Sequence, residues 1–181
     1  MRLEIRFAGF GGQGIIKSGI ITAAAASIHE GKNAVQTQSY GPESRGGACK
    51  SEVVISEEDI DFPKVVEPDI LVLMSQHAYN NYVDDLKPGG TIILDPDMIP
   101  HEKELKNAKI YRVPATKMAD ELGRRIVANI VMLGAFAALT GVLNENALIE
   151  SIKENIPKGT EELNISAFKK GFEFGKSLLK S

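Results

Sequence analysis

An α/β fold in three layers, with helices on both faces of a mostly parallel sheet, follows from three features of this 181-residue sequence. Two continuously apolar runs, at residues 70–74 and 91–94, read as strands buried on both faces, as a central parallel strand must be. Between them, residues 77–86 read as a helix stopped by Lys87-Pro88-Gly89-Gly90, which makes a right-handed β-α-β unit. Near the start, a strand-like run passes through a glycine-rich turn into a helical run, the opening of a Rossmann-like domain. No linker, repeat or low-complexity tract divides the chain, so residues 1–181 are expected to form one domain.

The first strand, residues 2–7, alternates strictly, with Leu3, Ile5 and Phe7 on one face and Arg2, Glu4 and Arg6 on the other. Such a strand predicts a sheet face that is open here or covered by a partner. The turn is Gly9-Phe10-Gly11-Gly12-Gln13-Gly14, and the helix after it, residues 15–30, ends at Gly31 as a C′ residue. Residues 33–40 and 48–56 read as strands flanking a structured loop, Tyr40-Gly41-Pro42-Glu43-Ser44-Arg45-Gly46-Gly47, which adds a hairpin-type strand to the sheet. Beyond a strand at residues 109–113, a helix of about twenty residues is expected to start at Thr116 or Lys117 and to end at Gly141. Asn144 then caps a short helix ended at Pro157, and Thr160 caps the last one, whose Phe168, Phe172, Gly175 and Leu179 form a core-facing stripe.

The turn carries the chemistry. Glycines admit a phosphate close to backbone N–H groups, and the helix behind them aims its free amides and positive end at the same place. Gly9, Gly11 and Gly14 have the Gly-x-Gly-x-x-Gly spacing of a dinucleotide site, which also needs an acid at the end of the next strand. That strand, Asn33-Ala34-Val35-Gln36-Thr37-Gln38-Ser39-Tyr40, has none, and Glu30 precedes it. A phosphate-bearing ligand is therefore retained and a nicotinamide dinucleotide discounted; a turn that merely packs helix on strand is the alternative. Arg45 with its two following glycines fits an anion nest, a carboxylate partner across an interface, or a solvated hairpin tip. Ser44 is no hydrolase nucleophile, since Pro42 stands where the elbow needs glycine and a strand follows. Asp95 and Asp97 flank a proline and read as turn formers.

Composition narrows the function further. A net charge of −3 without a basic stripe argues against nucleic acid. Cys49, alone, gives neither an intrachain disulfide nor a cluster held by this chain, and reads as a core residue. His29, His77 and His101 lack metal-ligand spacing. The charged first residues do not suit a secretory segment, and the apolar stretch at residues 126–139 is short for a bilayer span, so a cytoplasmic protein is expected.

Taken together, Gly-Phe-Gly-Gly-Gln-Gly between strand and helix and Tyr-Gly-Pro-Glu-Ser-Arg-Gly-Gly after the next strand resemble the gamma subunit of the 2-oxoacid:ferredoxin oxidoreductases. Residues 35–47 look most like the 2-oxoglutarate-type branch, rather than the pyruvate type. The resemblance implies a complex that oxidises a 2-oxoacid with coenzyme A to an acyl-CoA and CO2, passing electrons to ferredoxin. It also implies partner alpha and beta subunits, with a delta subunit in some members, that hold thiamine diphosphate, Mg²⁺ and the iron–sulfur clusters. The gamma chain would then be inactive alone and would contact coenzyme A through Gly9, Phe10, Gly11, Gly12, Gln13 and Gly14, with Gln13 as a neutral donor. Many members of that family have arginine where Phe10 stands, and Lys17 or Arg45 would supply the missing cation.

Overall fold

The computed structural model describes residues 1–40 and 48–181 and places β1 (Arg2–Phe10) inside a six-stranded sheet. On one side of β1 run β4 (Ile70–Leu73), β5 (Thr91–Leu94) and β6 (Lys109–Arg112), all parallel to it. On the other side lies β3 (Ala48–Ser56), antiparallel to β1, and then β2 (Asn33–Tyr40), antiparallel to β3, at the edge. The order is β2-β3-β1-β4-β5-β6. The mixed sheet with an added antiparallel strand is the predicted one.

Helices cover both faces. Ile5, Phe7, Val53, Val72 and Ile93 point toward α1 (Ile15–Ala24), α4 (Ala128–Thr140), α5 (Glu145–Asn155) and α6 (Glu161–Lys180), and form the larger core with Ile21, Ile130, Phe136, Leu148 and Phe168. The opposite sides of β4 and β5, through Leu71, Leu73, Ile92 and Leu94, pack on Ala78 and Tyr79 of α2 (Gln76–Tyr82). Helix α1 continues through a π-helical turn, Ala25–His29, and Gly31 follows at φ +67°. Asn144 caps α5 as expected, its Oδ1 accepting from Ala147 N at 2.7 Å.

Three expectations are corrected. The single helix over Thr116 to Gly141 is two: α3 (Ala115–Glu121) and α4, joined by Gly123 at φ +88° and a 3-10 turn, Arg125–Val127. Glycine in the left-handed region ends α3, and the turn lets the chain re-enter at a new angle. Thr160 does stand at the start of α6, but its hydroxyl donates to Pro157 O at 2.6 Å rather than capping. Instead the Glu161 carboxylate accepts from Gly159 N. Finally, the polar face of β1 is closed by the chain itself: Arg6 is 3% exposed. Its guanidinium donates to Glu52 at 2.6 Å, Asp85 at 2.6 Å and Val65 O at 3.1 Å, with the Tyr82 ring beside it. Arg6 faces Glu52 across the β1–β3 ladder, so alternation marks a cross-strand ion pair here, and not a wet face.

The crossing of α4 and α6 is backbone on backbone. A Cβ on Gly171 would fall 1.8 Å from Val131 O, and one on Gly134 would fall 2.0 Å from Phe168 O. Substituting Gly171→Ala is expected to destabilise the chain by about 1–3 kcal/mol, the usual range for overpacking. Chemical denaturation checks this, and an unchanged midpoint would contradict the close crossing.

Candidate functional site

The glycines of the turn divide into two kinds. Gly14 sits at φ +75°, and a Cβ there would also lie 2.4 Å from Asn129 Nδ2; one on Gly9 would lie 2.3 Å from Gln13 Oε1. These two glycines are required by the turn's own packing. Around Gly11 and Gly12, the latter at φ +93°, a Cβ would meet none of the described residues within 4 Å. These two are open to whatever approaches the loop.

Gln13 holds the turn in shape. Its Oε1 accepts from Phe10 N at 2.9 Å, and its Nε2 donates to Met74 O at 2.8 Å, tying the loop to the end of β4. Its amide is thus turned inward as a brace, where a ligand donor was expected. Phe10 ends β1 opposite Ala48 and is half-buried. Arg45 lies outside the described residues.

Among the described residues, no acceptor meets the amides of Gly11, Gly12, Gly14, Ile15 or Ile16. They border a cleft of about 560 Å³ between the loop, the turn leading into α4 and the start of α6. Gly11, Gly12, Gly14 and Lys17 line one side, and Arg124, Ile126 and Asn129 line another. Ile16, Ile130, Ile156 and Leu163 give it apolar walls, with Asn164 among them. Lys17 Nζ donates to Asn155 O at 2.8 Å, at the carbonyl end of α5, which favours a cation. Arg125 pairs with Asp120 at 2.7 Å and holds that carboxyl below the usual carboxylate range. Arg124, exposed, has no carboxylate partner among the described residues.

Arg124, Asn129 and Asn164 are the cleft-lining polar residues that the sequence reading missed. The signal was Gly123-Arg124-Arg125, a breaker followed by two cations, inside a stretch read as continuous helix. Asp95 is confirmed as a structural group: fully buried, it accepts from Thr116 N at 2.9 Å and Oγ1 at 2.7 Å, charging the N-terminus of α3, and from Asp97 N at 3.0 Å in a turn. Among the described residues no three His, Cys, Asp or Glu side chains gather as metal ligands, and no helix is long and apolar enough to cross a membrane.

Fold and loop together define a class, and the comparisons agree. Residues 4–174 match the family model described as pyruvate ferredoxin/flavodoxin oxidoreductase, and the chain belongs to that family as a gamma subunit of a 2-oxoacid:ferredoxin oxidoreductase. It is 53% identical over 180 residues to the 2-oxoglutarate synthase subunit KorC of Methanocaldococcus jannaschii, covering 98% of this chain and 96% of that one. The gamma subunit of the keto/oxoacid ferredoxin oxidoreductase from Geobacter sulfurreducens superposes with a TM-score of 0.86 at 44% identity, over 97% of this chain and 99% of that one. The 2-oxoglutarate:ferredoxin oxidoreductase of Magnetococcus marinus, solved with 2-oxoglutarate, coenzyme A and succinyl-CoA bound, superposes with a TM-score of 0.87 at 29% identity. The match takes in 99% of this chain but 32% of that one, so this chain corresponds to one part of a longer polypeptide.

Cys49 lines the cleft at 5% exposure, and burial pushes its thiol up. Since the thiolate is the reacting form, alkylation of Cys49 by iodoacetamide is expected to keep accelerating above about pH 8.5, the ordinary cysteine pKa. A rate that levels off below that pH would contradict the buried thiol.

Proposed function

We propose that this chain is the gamma subunit of a 2-oxoglutarate-type ferredoxin oxidoreductase, and that its glycine-loop cleft contributes to binding coenzyme A. The reaction is oxidative decarboxylation of the 2-oxoacid, with coenzyme A taking the acyl group and ferredoxin the electrons. Thiamine diphosphate with Mg²⁺ and the iron–sulfur clusters fall to partner alpha and beta subunits, with or without a delta subunit. The residues here do not fit an iron–sulfur cluster held by this chain, since Cys49 is the sole cysteine. This chain's task is to bind and orient, not to react.

One observation carries the coenzyme A reading: the amides of Gly11, Gly12 and the start of α1, without acceptors among the described residues, border the same cleft as Arg124, which has no carboxylate partner among them. Amides at a helix start and a planar guanidinium are what phosphates require. Arg124 thereby supplies the cation missing at Phe10, and the apolar walls suit an elongated organic arm. Support for the 2-oxoglutarate branch comes from the KorC relative and from the coenzyme A and succinyl-CoA held by the Magnetococcus enzyme.

A second reading, a docking subunit whose loop holds no ligand, is favoured by Gln13 and Lys17, whose side chains are spent on carbonyls of the protein. Gly11→Ala separates the two. Gly11 is outside the left-handed region and a methyl there would meet none of the described residues within 4 Å, so the fold and assembly are expected to survive. In the assembled complex, a methyl between the phosphates and the loop is expected to raise the KM for coenzyme A about tenfold or more, the weight of one charge-assisted hydrogen bond, with kcat nearly unchanged. An unchanged KM would favour docking.

A further inference from the structure

Two buried asparagines line the cleft, each only partly satisfied by the described residues. Asn129 is 7% exposed and Asn164 is 6% exposed. Asn129 is the one polar side chain among the ten buried residues of α4. Burying a side-chain amide without full hydrogen bonding is costly, so each needs a reason.

Their contacts within the protein are redundant. Asn129 Nδ2 donates to Gly14 O at 3.2 Å, but that carbonyl already accepts from Ser18 N at 3.0 Å and Ser18 Oγ at 3.1 Å. Asn164 Nδ2 donates to Thr160 O at 2.9 Å, which already accepts from Asn164 N at 3.0 Å. Because both partners are carbonyls, the nitrogen side of each amide is fixed, and so is the oxygen side. Among the described residues neither Oδ1 has a donor, and none of their fully enclosed side-chain polar atoms lacks a partner, so both oxygens reach solvent. Both residues line the cleft.

We propose that Asn129 and Asn164 accept hydrogen bonds from N–H groups of the molecule seated there. The cleft then carries donors for phosphate, the loop amides and Arg124, and beside them two acceptors for an amide or amine. This deepens, and rests on, the coenzyme A reading. Coenzyme A carries such donors in two places, the amides of its pantetheine arm and the amino group of its adenine. The acceptors also discriminate against a ligand with phosphates but no N–H group, because their desolvation would go uncompensated.

The test uses the assembled complex with Asn164→Ala, whose Thr160 carbonyl keeps its backbone donor, alongside Arg124→Ala. The KM for coenzyme A is measured, together with competitive inhibition by adenosine 3′,5′-bisphosphate and by 4′-phosphopantetheine. Asn164→Ala is expected to raise the KM up to about tenfold at near-constant kcat, as for one neutral hydrogen bond, and to weaken one of the two fragments by the same factor. The fragment that weakens identifies the donor as adenine or arm. If Arg124→Ala raises the KM while Asn164→Ala changes neither KM nor either fragment, the asparagine proposal fails and the coenzyme A reading stands. Should neither substitution change anything, both fail. Equal weakening of both fragments together with a lowered melting temperature would assign Asn164 a merely structural role and overturn the proposal.

Discussion

Direct contact between the backbones of α4 and α6 is the constraint on which the cleft depends. Gly134 on one helix and Gly171 on the other each leave room for a carbonyl of its partner, and Gly175 repeats the arrangement one turn further on, against Ala135. The two helices approach closely because no side chain separates them. Arg124 and Asn129 lie at the entry to α4, and Leu163 and Asn164 lie in the first turn of α6. The crossing therefore sets how far one wall of the cleft stands from the other. Asn129 then reaches Gly14 and joins this helix pair to the glycine turn.

On the other face of the sheet a different force acts. Arg6 is buried with Glu52, Asp85 and a backbone carbonyl around it, and Lys50 stands 3.7 Å from Glu52. Two cations and two anions balance there, which is what makes burial tolerable; removing one partner of such a group typically costs about 3–5 kcal/mol, whereas an exposed pair such as Arg125 with Asp120 contributes little. The cluster links β1 and β3 to the segment after α2, fixing the strand that delivers the chain into the glycine turn.

Much of this was legible in the sequence wherever a feature is local. The apolar runs at 70–74 and 91–94 became central strands, Asn144 became a cap, and Gly31 and Gly141 took the left-handed conformation at helix ends. The glycine turn was found from spacing and flanking alone. What escaped was non-local. Arg6 looked solvent-facing because alternation does not reveal that Glu52 is its cross-strand neighbour. Gly123 lay inside a stretch read as one continuous helix, and with it Arg124. Asn129 meets Gly14 across 115 residues of chain, a distance no motif spans. Gln13, inside the motif, also has a non-local use, since its bond to Met74 O depends on where Met74 lies.

The central claim is that the loop amides and the facing helix starts hold coenzyme A. Hydrogen–deuterium exchange of the assembled complex, with and without coenzyme A, tests it most directly, because the groups at issue are backbone N–H groups without partners among the described residues. Slowed exchange at residues 11–16 on adding coenzyme A is the predicted result. Unchanged exchange there, with protection confined to other subunits or to other surfaces of this chain, would contradict the account.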